Sequence, residues 1–188
     1  MLRIFSIVWL AIRCASAQDK VALMVEVLQS AADYEGVISV KEILQREGSV
    51  FRFVPSICPL REAYRISDRF GYRIHPITGE RKFHSGVDLA AAYAATVHTT
   101  ADGVVAFAGW RAGYGLTVII RHKYGFVTQY SHLTQVYCRK GQQVDKGGVI
   151  GFVGSTGVST GDHLHYEIVK NNKKINPLNF MLWNSVTN

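Results

Sequence analysis

Two histidines separated by one residue form the part of the sequence best suited to metal or acid–base chemistry. They lie in the segment His163-Leu164-His165-Tyr166-Glu167. On a strand, alternate side chains share a face, so both histidines and Glu167 are predicted to point one way and the two residues between them the other. Neighbours on one face are about 7 Å apart at Cα, which lets two imidazoles converge on one small site. A merely solvated polar face is the alternative.

His84 is followed four residues later by Asp88, a second pair that could bind a metal. In a straight strand the two would lie about 13 Å apart, too far to share zinc, whose ligand bonds are about 2 Å long. Ser85 and Gly86 weaken a helix at this point. A bend at Gly86 would allow both side chains to converge, and zinc accepts imidazole nitrogen and carboxylate oxygen. A surface histidine and a turn aspartate are the alternative.

The other histidines carry less information by themselves. His132 lies in the segment Tyr130–Leu133, at the end of a predicted strand. His75 precedes the first candidate ligand in a loop, where it could line a groove. His98 and His122 are interpreted as surface residues.

The elements that would position these side chains are predicted to be short strands. Asp102-Gly103 is a hairpin signal, and Lys123–Gly125 is a turn. Apolar, β-branched or alternating segments predict strands over residues 104–107, 116–120, 126–130, 149–153 and 163–169. Turns separate them, and no long helical period occurs. The pattern predicts a mainly β fold, a small antiparallel β-sandwich or barrel-like domain over residues 63–182.

The chain before this domain has a different pattern. Residues 18–62 are predicted to form a short helical and irregular segment. One helix is expected over Val21–Leu28, and a capping-box pattern opens a second over residues 39–46. Pro55 and Pro59 indicate an irregular connection to the domain. At the other end, residues 183–188 are assigned as a tail.

The first 17 residues have the order of a secretory signal peptide. Arg3 precedes the apolar run Ile4–Ile12, and Ala15-Ser16-Ala17 follows as a small-residue A-x-A pattern. As a helix the run would rise about 13 Å, against a bilayer core of about 30 Å, so a transmembrane segment is not expected. We therefore expect an exported protein, with a buried N-terminal helix or strand as the alternative.

Composition and charge exclude several classes of protein. The chain has 188 residues, of which 48% are hydrophobic and 19% charged, so it can bury an ordinary core and is not a disordered or collagen-like chain. The formal net charge is +7, and about +5 would remain once the two leader arginines are removed. No run of five lysines or arginines and no basic helix occurs, so a nucleic-acid partner is not expected.

Two cysteines, Cys58 and Cys138, remain beyond the predicted leader. An even pair in an oxidising compartment can form one disulfide. Neither lies in a C-x-x-C motif, so they are not interpreted as zinc ligands. The sequence leaves open whether they are bonded.

Taken together, the motifs follow the order found in the lysostaphin-type zinc endopeptidases, and the sequence resembles that family over about residues 65–180. The resemblance rests on Phe70–Pro76, on His84–Ala90, on Tyr130–Leu133, and on Gly154–Gly157 leading into His163–Glu167.

By that resemblance, His84, Asp88 and His165 would bind Zn²⁺, and His132 and His163 would form the catalytic pair. The family's fold is a small antiparallel β domain with a groove over the metal. The resemblance implies an exported zinc metalloendopeptidase that hydrolyses peptide cross-links or stem peptides of peptidoglycan, in the periplasm or cell envelope of a bacterium. It does not say which bond is cut or how the catalytic pair divides its roles.

Three further points stay open. Glu167 could hydrogen-bond a histidine from behind or be a solvated strand carboxylate, with neither favoured. The domain could be a catalytically silent, zinc-retaining module that binds the wall or activates other enzymes. Residues Gly141–Ile150 resemble a hairpin of biotinyl and lipoyl carriers, but the lysine-bearing turn of those carriers is missing.

Overall fold

The computed structural model describes residues 16–31, 34–38, 48–74 and 79–181. Most of the predicted leader, the predicted helix over residues 39–46, His75 and the tail lie outside this part of the chain. The contacts divide the chain into two compact units, residues 1–52 and 53–188.

Short helices make up the described part of the first unit, and one further helix lies near the end of the second. Their bounds are α1 Ala17–Ser30, α2 Tyr34–Ile38, α3 Gly48–Phe51 and α4 Leu178–Met181. The prediction of a helix over 21–28 is confirmed by α1. Ser16 caps this helix, since its Oγ accepts a hydrogen bond from the backbone N–H of Asp19. No helix among the described residues has the length and apolar character needed to cross a membrane.

The second unit is built from twelve strands in the described residues. In chain order they are β1 Tyr64–Asp68, β2 Gly71–Ile74, β3 Arg81–His84, β4 Val87–Ala91, β5 Thr96–His98, β6 Gly103–Arg111, β7 Gly115–Arg121, β8 Phe126–Val136, β9 Gln143–Val144, β10 Val149–Val153, β11 His163–Lys170 and β12 Lys173–Ile175. All five predicted strands are present.

Ten of these strands form one antiparallel sheet, and β2 and β3 pair separately as a hairpin. The long path through the sheet is β1-β4-β11-β8-β7-β6-β9, while β10 joins β8 to β5 and β12 joins β11. The core faces of β4 and β11 carry fully buried apolar side chains, at Val87, Leu89, Leu164, Tyr166 and Ile168. The predicted mainly β, antiparallel fold is confirmed. Alternation leaves the other face of β4 and β11 for polar residues.

Two predicted turns had different outcomes. Tyr124 and Gly125 both have positive φ, 58° and 74°, and join β7 to β8 as predicted. The prediction of a hairpin at Asp102-Gly103 is wrong, because the two flanking strands do not pair with each other. Strand β5 pairs with β10, while β6 pairs with β7 and β9. The Asp102 carboxylate instead accepts a hydrogen bond from the backbone N–H of Lys146, a contact 44 residues away. Long-range pairing has overridden the local signal.

Two histidines predicted at the surface are hydrogen-bonded parts of the fold. His98 is only 5% exposed, and its ring contacts Gly147 O and Thr96 Oγ1. His122 is half-buried, with both ring nitrogens hydrogen-bonded. The surface interpretation is wrong because both rings complete hydrogen bonds that nearby backbone and hydroxyl groups require.

Cys58 and Cys138 are free thiols in this structure. Each is half-buried, and the Sγ of Cys138 lies 3.6 Å from the carbonyl oxygen of Ile150.

Candidate metal centre

Three side chains from β3, β4 and β11 meet on the polar face of the sheet. Asp88 lies directly opposite His165 in the β4–β11 register, and His84 ends the neighbouring β3. The His165 Nδ1 is 2.7 Å from Asp88 Oδ1, and His84 Nε2 is 3.1 Å from His165 Nδ1 and 3.2 Å from Asp88 Oδ1. One atom from each of the three therefore faces a common point, with all three atoms within 4.8 Å of one another.

The backbone bends at Gly86, between His84 and Asp88, as the sequence predicted. The reason that glycine is needed is close packing. A Cβ at this position would lie 2.4 Å from the carbonyl oxygen of Tyr166 and 3.0 Å from the Cε1 of His165. The absence of a side chain lets the bend press against β11, and this places His84 beside the Asp88–His165 pair.

The second ring nitrogen of each of these two histidines is held by an acceptor. His84 Nδ1 is 3.0 Å from the carbonyl oxygen of Arg69, and His165 Nε2 is 3.0 Å from Glu167 Oε1. A carbonyl or a carboxylate can only accept, so the proton belongs on these nitrogens. The nitrogens that face the common point, His84 Nε2 and His165 Nδ1, lie 3.2 and 2.7 Å from Asp88 Oδ1, to which they can donate hydrogen bonds. When a metal binds, it would replace the protons on these two nitrogens and use their lone pairs.

Glu167 is a buried carboxylate behind the candidate ligands. Its side chain is only 2% exposed, and besides His165 it accepts hydrogen bonds from Ser85 Oγ and from Lys174 Nζ at 3.0 Å. Burial raises the pKa of this carboxyl, but the hydrogen bonds from His165 and Ser85 outweigh burial and lower the pKa to about 2. Glu167 is therefore an anion that orients the His165 ring.

The same balance holds for Asp88. Burial raises the pKa of its carboxyl, while hydrogen bonds from His165 and His84 lower it well below its usual range. The carboxylate is therefore ionised and available to a cation.

Replacing Glu167 by glutamine is expected to weaken zinc binding by about 10- to 100-fold, because the amide removes the charge that fixes the tautomer and orientation of His165. Competition with a chromogenic chelator would measure the dissociation constant. Glu26→Gln, at an exposed position on α1, is the matched control and should leave the constant unchanged. Equal zinc affinities for the Glu167→Gln and Glu26→Gln proteins would contradict a role for this carboxylate.

His132 and His163 lie side by side next to the three candidate ligands. Their ring centroids are 4.7 Å apart, and His163 Nε2 is 3.9 Å from Asp88 Oδ1. His132 Nδ1 is 2.7 Å from Thr156 O, and His163 Nδ1 is 2.8 Å from Gly161 O. Both rings therefore carry their proton on Nδ1 and keep an Nε2 lone pair that can accept a proton. Burial lowers the pKa of His132 to about 4.

A groove of about 850 Å³ runs over this cluster. All five histidine and aspartate side chains predicted from the sequence as site residues line the groove, together with the β2–β3 hairpin and the loop before β11. The sequence did not single out Tyr114, which also lines it. The Tyr114 ring centroid is 5.7 Å from that of His165, and the Arg111 guanidinium lies 4.9 Å from the Tyr114 centroid. A tyrosine between two glycines in a turn carries no local signal of a site.

The donor set suits a metal of a particular kind. Two imidazole nitrogens and one carboxylate oxygen are typical ligands of catalytic zinc, which keeps a fourth position open to solvent or substrate. The groove gives access to that position. The ring nitrogens that point away are satisfied by hydrogen bonds, as metal-binding histidines require. The residues present therefore fit a zinc ion.

Fold and site together define a β-sheet hydrolase domain of the metallopeptidase type. Residues 82–177, half of the chain, match the model of Peptidase family M23. The chain belongs to this family, and the resemblance to lysostaphin-type peptidases is confirmed.

Relatives and solved structures agree with this assignment. Over 141 residues the chain is 45% identical to the DD-carboxypeptidase/endopeptidase Mpg of Neisseria meningitidis, covering 75% of this chain and 31% of Mpg. A zinc-containing peptidase from Vibrio cholerae aligns with TM-score 0.59 and 35% identity over 64% of this chain and 38% of the other. The catalytic domain of lysostaphin from Staphylococcus simulans aligns with TM-score 0.57 and 29% identity over 63% and 92%. The chain spans about a third of the length of the curated relative.

Proposed function

We propose that this protein is an exported zinc endopeptidase that hydrolyses peptide bonds in the cross-links or stem peptides of bacterial peptidoglycan. The observation that carries the proposal is the convergence of His84 Nε2, Asp88 Oδ1 and His165 Nδ1 on one point, with two further imidazoles beside them. Membership of Peptidase family M23 supports it.

Zinc is the cofactor, and His84, Asp88 and His165 are its proposed ligands. When bound there, zinc would supply Lewis-acid chemistry, polarising a carbonyl and making hydroxide available near neutral pH. Each ligand is already oriented by the protein. Arg69 O holds the ring of His84, Glu167 holds that of His165, and the sheet register holds Asp88.

His132 and His163 are proposed as the catalytic pair. Their Nδ1 hydrogens are committed to backbone carbonyls, so each ring has one orientation and an Nε2 that can take up a proton. One of them would accept the proton of the attacking water and pass it to the departing amine. The other, after taking a proton from solvent on its Nε2, would donate a hydrogen bond to the oxygen of the tetrahedral intermediate.

The family resemblance and the lining of the groove support the proposed substrate class. A DD-carboxypeptidase/endopeptidase is among the relatives. Many of the side chains that line the groove are polar or charged, which suits a peptide with ionised groups. Such a substrate lies outside the cytoplasm, in agreement with the signal peptide proposed for residues 1–17. Residues 18–62 are proposed to form a segment distinct from the peptidase domain of residues 63–182.

The test is hydrolysis of purified cross-linked peptidoglycan by residues 18–188, with chelator and with zinc added back. We expect soluble muropeptides that disappear with chelator and return with zinc, and their masses would identify the bond. A protein that retains one zinc per chain and releases no product would favour a catalytically silent wall-binding or activator module.

A further inference from the structure

Arg65, a positively charged residue, lies on the floor of the groove in the same row of the sheet as His163 of the proposed catalytic pair. Strand β4 lies between β1 and β11. Ala90 on β4 is opposite Arg65 on β1 and opposite His163 on β11, so the three residues form one row across the sheet. Because residues directly opposite on paired strands share a face, the Arg65 side chain is on the groove side, and it lines the groove.

This row is parallel to the row that holds the metal site. Asp88 and His165 are opposite one another two residues further along β4 and β11. Rows two residues apart are separated by about 7 Å, the distance that two residues of an extended peptide cover. Ala90 has only a methyl group, so nothing of the size of a long side chain separates Arg65 from His163 across the floor.

The Arg65 guanidinium is free to take a ligand. Among the residues that the structure describes, it has no hydrogen-bond or ion-pair partner. Three carboxylates line the same groove, and none of them pairs with Arg65. Asp68 forms an ion pair with Arg73 at 2.7 Å. Asp88 belongs to the proposed metal site, and Asp162 is an exposed residue immediately before β11.

We infer that Arg65 binds a free carboxylate of the substrate peptide, carried within two residues of the scissile bond, and thereby sets which peptides are cut. The inference rests on the proposed function and adds a specificity-determining residue to it. A planar guanidinium presents parallel N–H donors that match a carboxylate, and a charge-assisted pair at a fixed distance from the metal fixes the register of an extended peptide.

The experiment compares wild type, Arg65→Gln, Arg65→Lys and Lys140→Gln on defined cross-linked muropeptide dimers. Lys140 is an exposed residue in the turn before β9, so its variant controls for the loss of one positive charge. The dimers differ only in amidation: none, amidation of the carboxyl next to the scissile amide, or amidation of the terminal carboxyl. Zinc content and melting temperature are measured for each protein, since Arg65 touches no proposed ligand and both should stay at wild-type values.

We expect Arg65→Gln to raise KM about 10- to 100-fold for the unmodified dimer, the range for one charge-assisted hydrogen bond. Arg65→Lys should recover part of the loss, and Lys140→Gln should match wild type. When the carboxyl that Arg65 binds is amidated, the KM of wild type should rise by the same factor. The KM of Arg65→Gln for that dimer should not rise further. Whichever amidated dimer shows this pattern identifies the source of the carboxylate.

An Arg65→Gln effect of equal size on all three dimers would overturn the inference, as would no effect on any of them. If wild type hydrolyses no dimer, the proposed function fails, and the same comparison is made with dissociation constants from calorimetry on the zinc-loaded proteins. The dependence on amidation then still decides whether Arg65 binds a carboxylate.

Discussion

Replacing both His84 and His165 by alanine is expected to abolish zinc retention and, with it, all hydrolysis. Two of three proposed protein ligands would be lost, and Asp88 alone offers a cation a single carboxylate. Since zinc binds the folded state, the variant should also lose the stabilisation that zinc gives to wild type, which grows with free zinc concentration above the dissociation constant. Atomic absorption on gel-filtered protein and thermal unfolding with and without added zinc would measure both effects.

The matched control for this double variant is His98→Gln. His98 is equally buried but lies on β5, where its ring contacts Gly147 and Thr96 rather than the groove. The control should keep one zinc per chain and a zinc-dependent melting temperature. A double variant that still retains stoichiometric zinc would show that the ion binds elsewhere.

His163→Ala is expected to have the opposite signature, with zinc retained and turnover reduced. The His163 ring faces the site but its Nε2 is 3.9 Å from Asp88 Oδ1, and it is not among the three atoms that converge on the metal position. Loss of a general acid or base costs about 10²- to 10⁴-fold in rate. Product release measured by chromatography, beside zinc content of the same sample, would separate the two roles.

Ser159→Ala is the control for His163→Ala. The Ser159 hydroxyl is 3.2 Å from His163 Nδ1, but the carbonyl of Gly161 holds the same nitrogen at 2.8 Å, so the ring keeps an acceptor without the hydroxyl. We expect a modest change in rate for this variant. Wild-type turnover by the His163→Ala protein would refute the proposed mechanism.

Most side chains of the candidate site could be predicted from the sequence because they lie in local patterns, whereas His132 became a candidate only through the family resemblance. Strand alternation placed His163, His165 and Glu167 on one face and Leu164 and Tyr166 on the other. The structure has the latter two fully buried on the core side. Periodicity alone did not show that these patterns belong to one site. The family resemblance predicted that they do.

The partners that hold those side chains could not be predicted. Three are backbone carbonyls: Arg69 O on the His84 ring, Thr156 O on the His132 ring and Gly161 O on the His163 ring, at separations of 15, 24 and 2 residues. A carbonyl is present at every position and has no signature in the sequence. The hydrogen-bonded, buried environment of Glu167 could not be predicted either, because Ser85 and Lys174, which contact it, lie in other parts of the chain.

His132 has a backbone φ of 62°, in the left-handed region that residues with a Cβ rarely occupy. Such a conformation costs about 1–2 kcal/mol relative to the right-handed one, and the surrounding sheet must hold it there. Its amide N–H donates to the carbonyl of Tyr114, just before β7, at 2.9 Å, which anchors the distorted backbone to the neighbouring turn. The chain thus gives up folding stability at this position in order to aim one imidazole. A glycine there would relieve the backbone strain, at the cost of a buried ring and its hydrogen bond to Thr156 O.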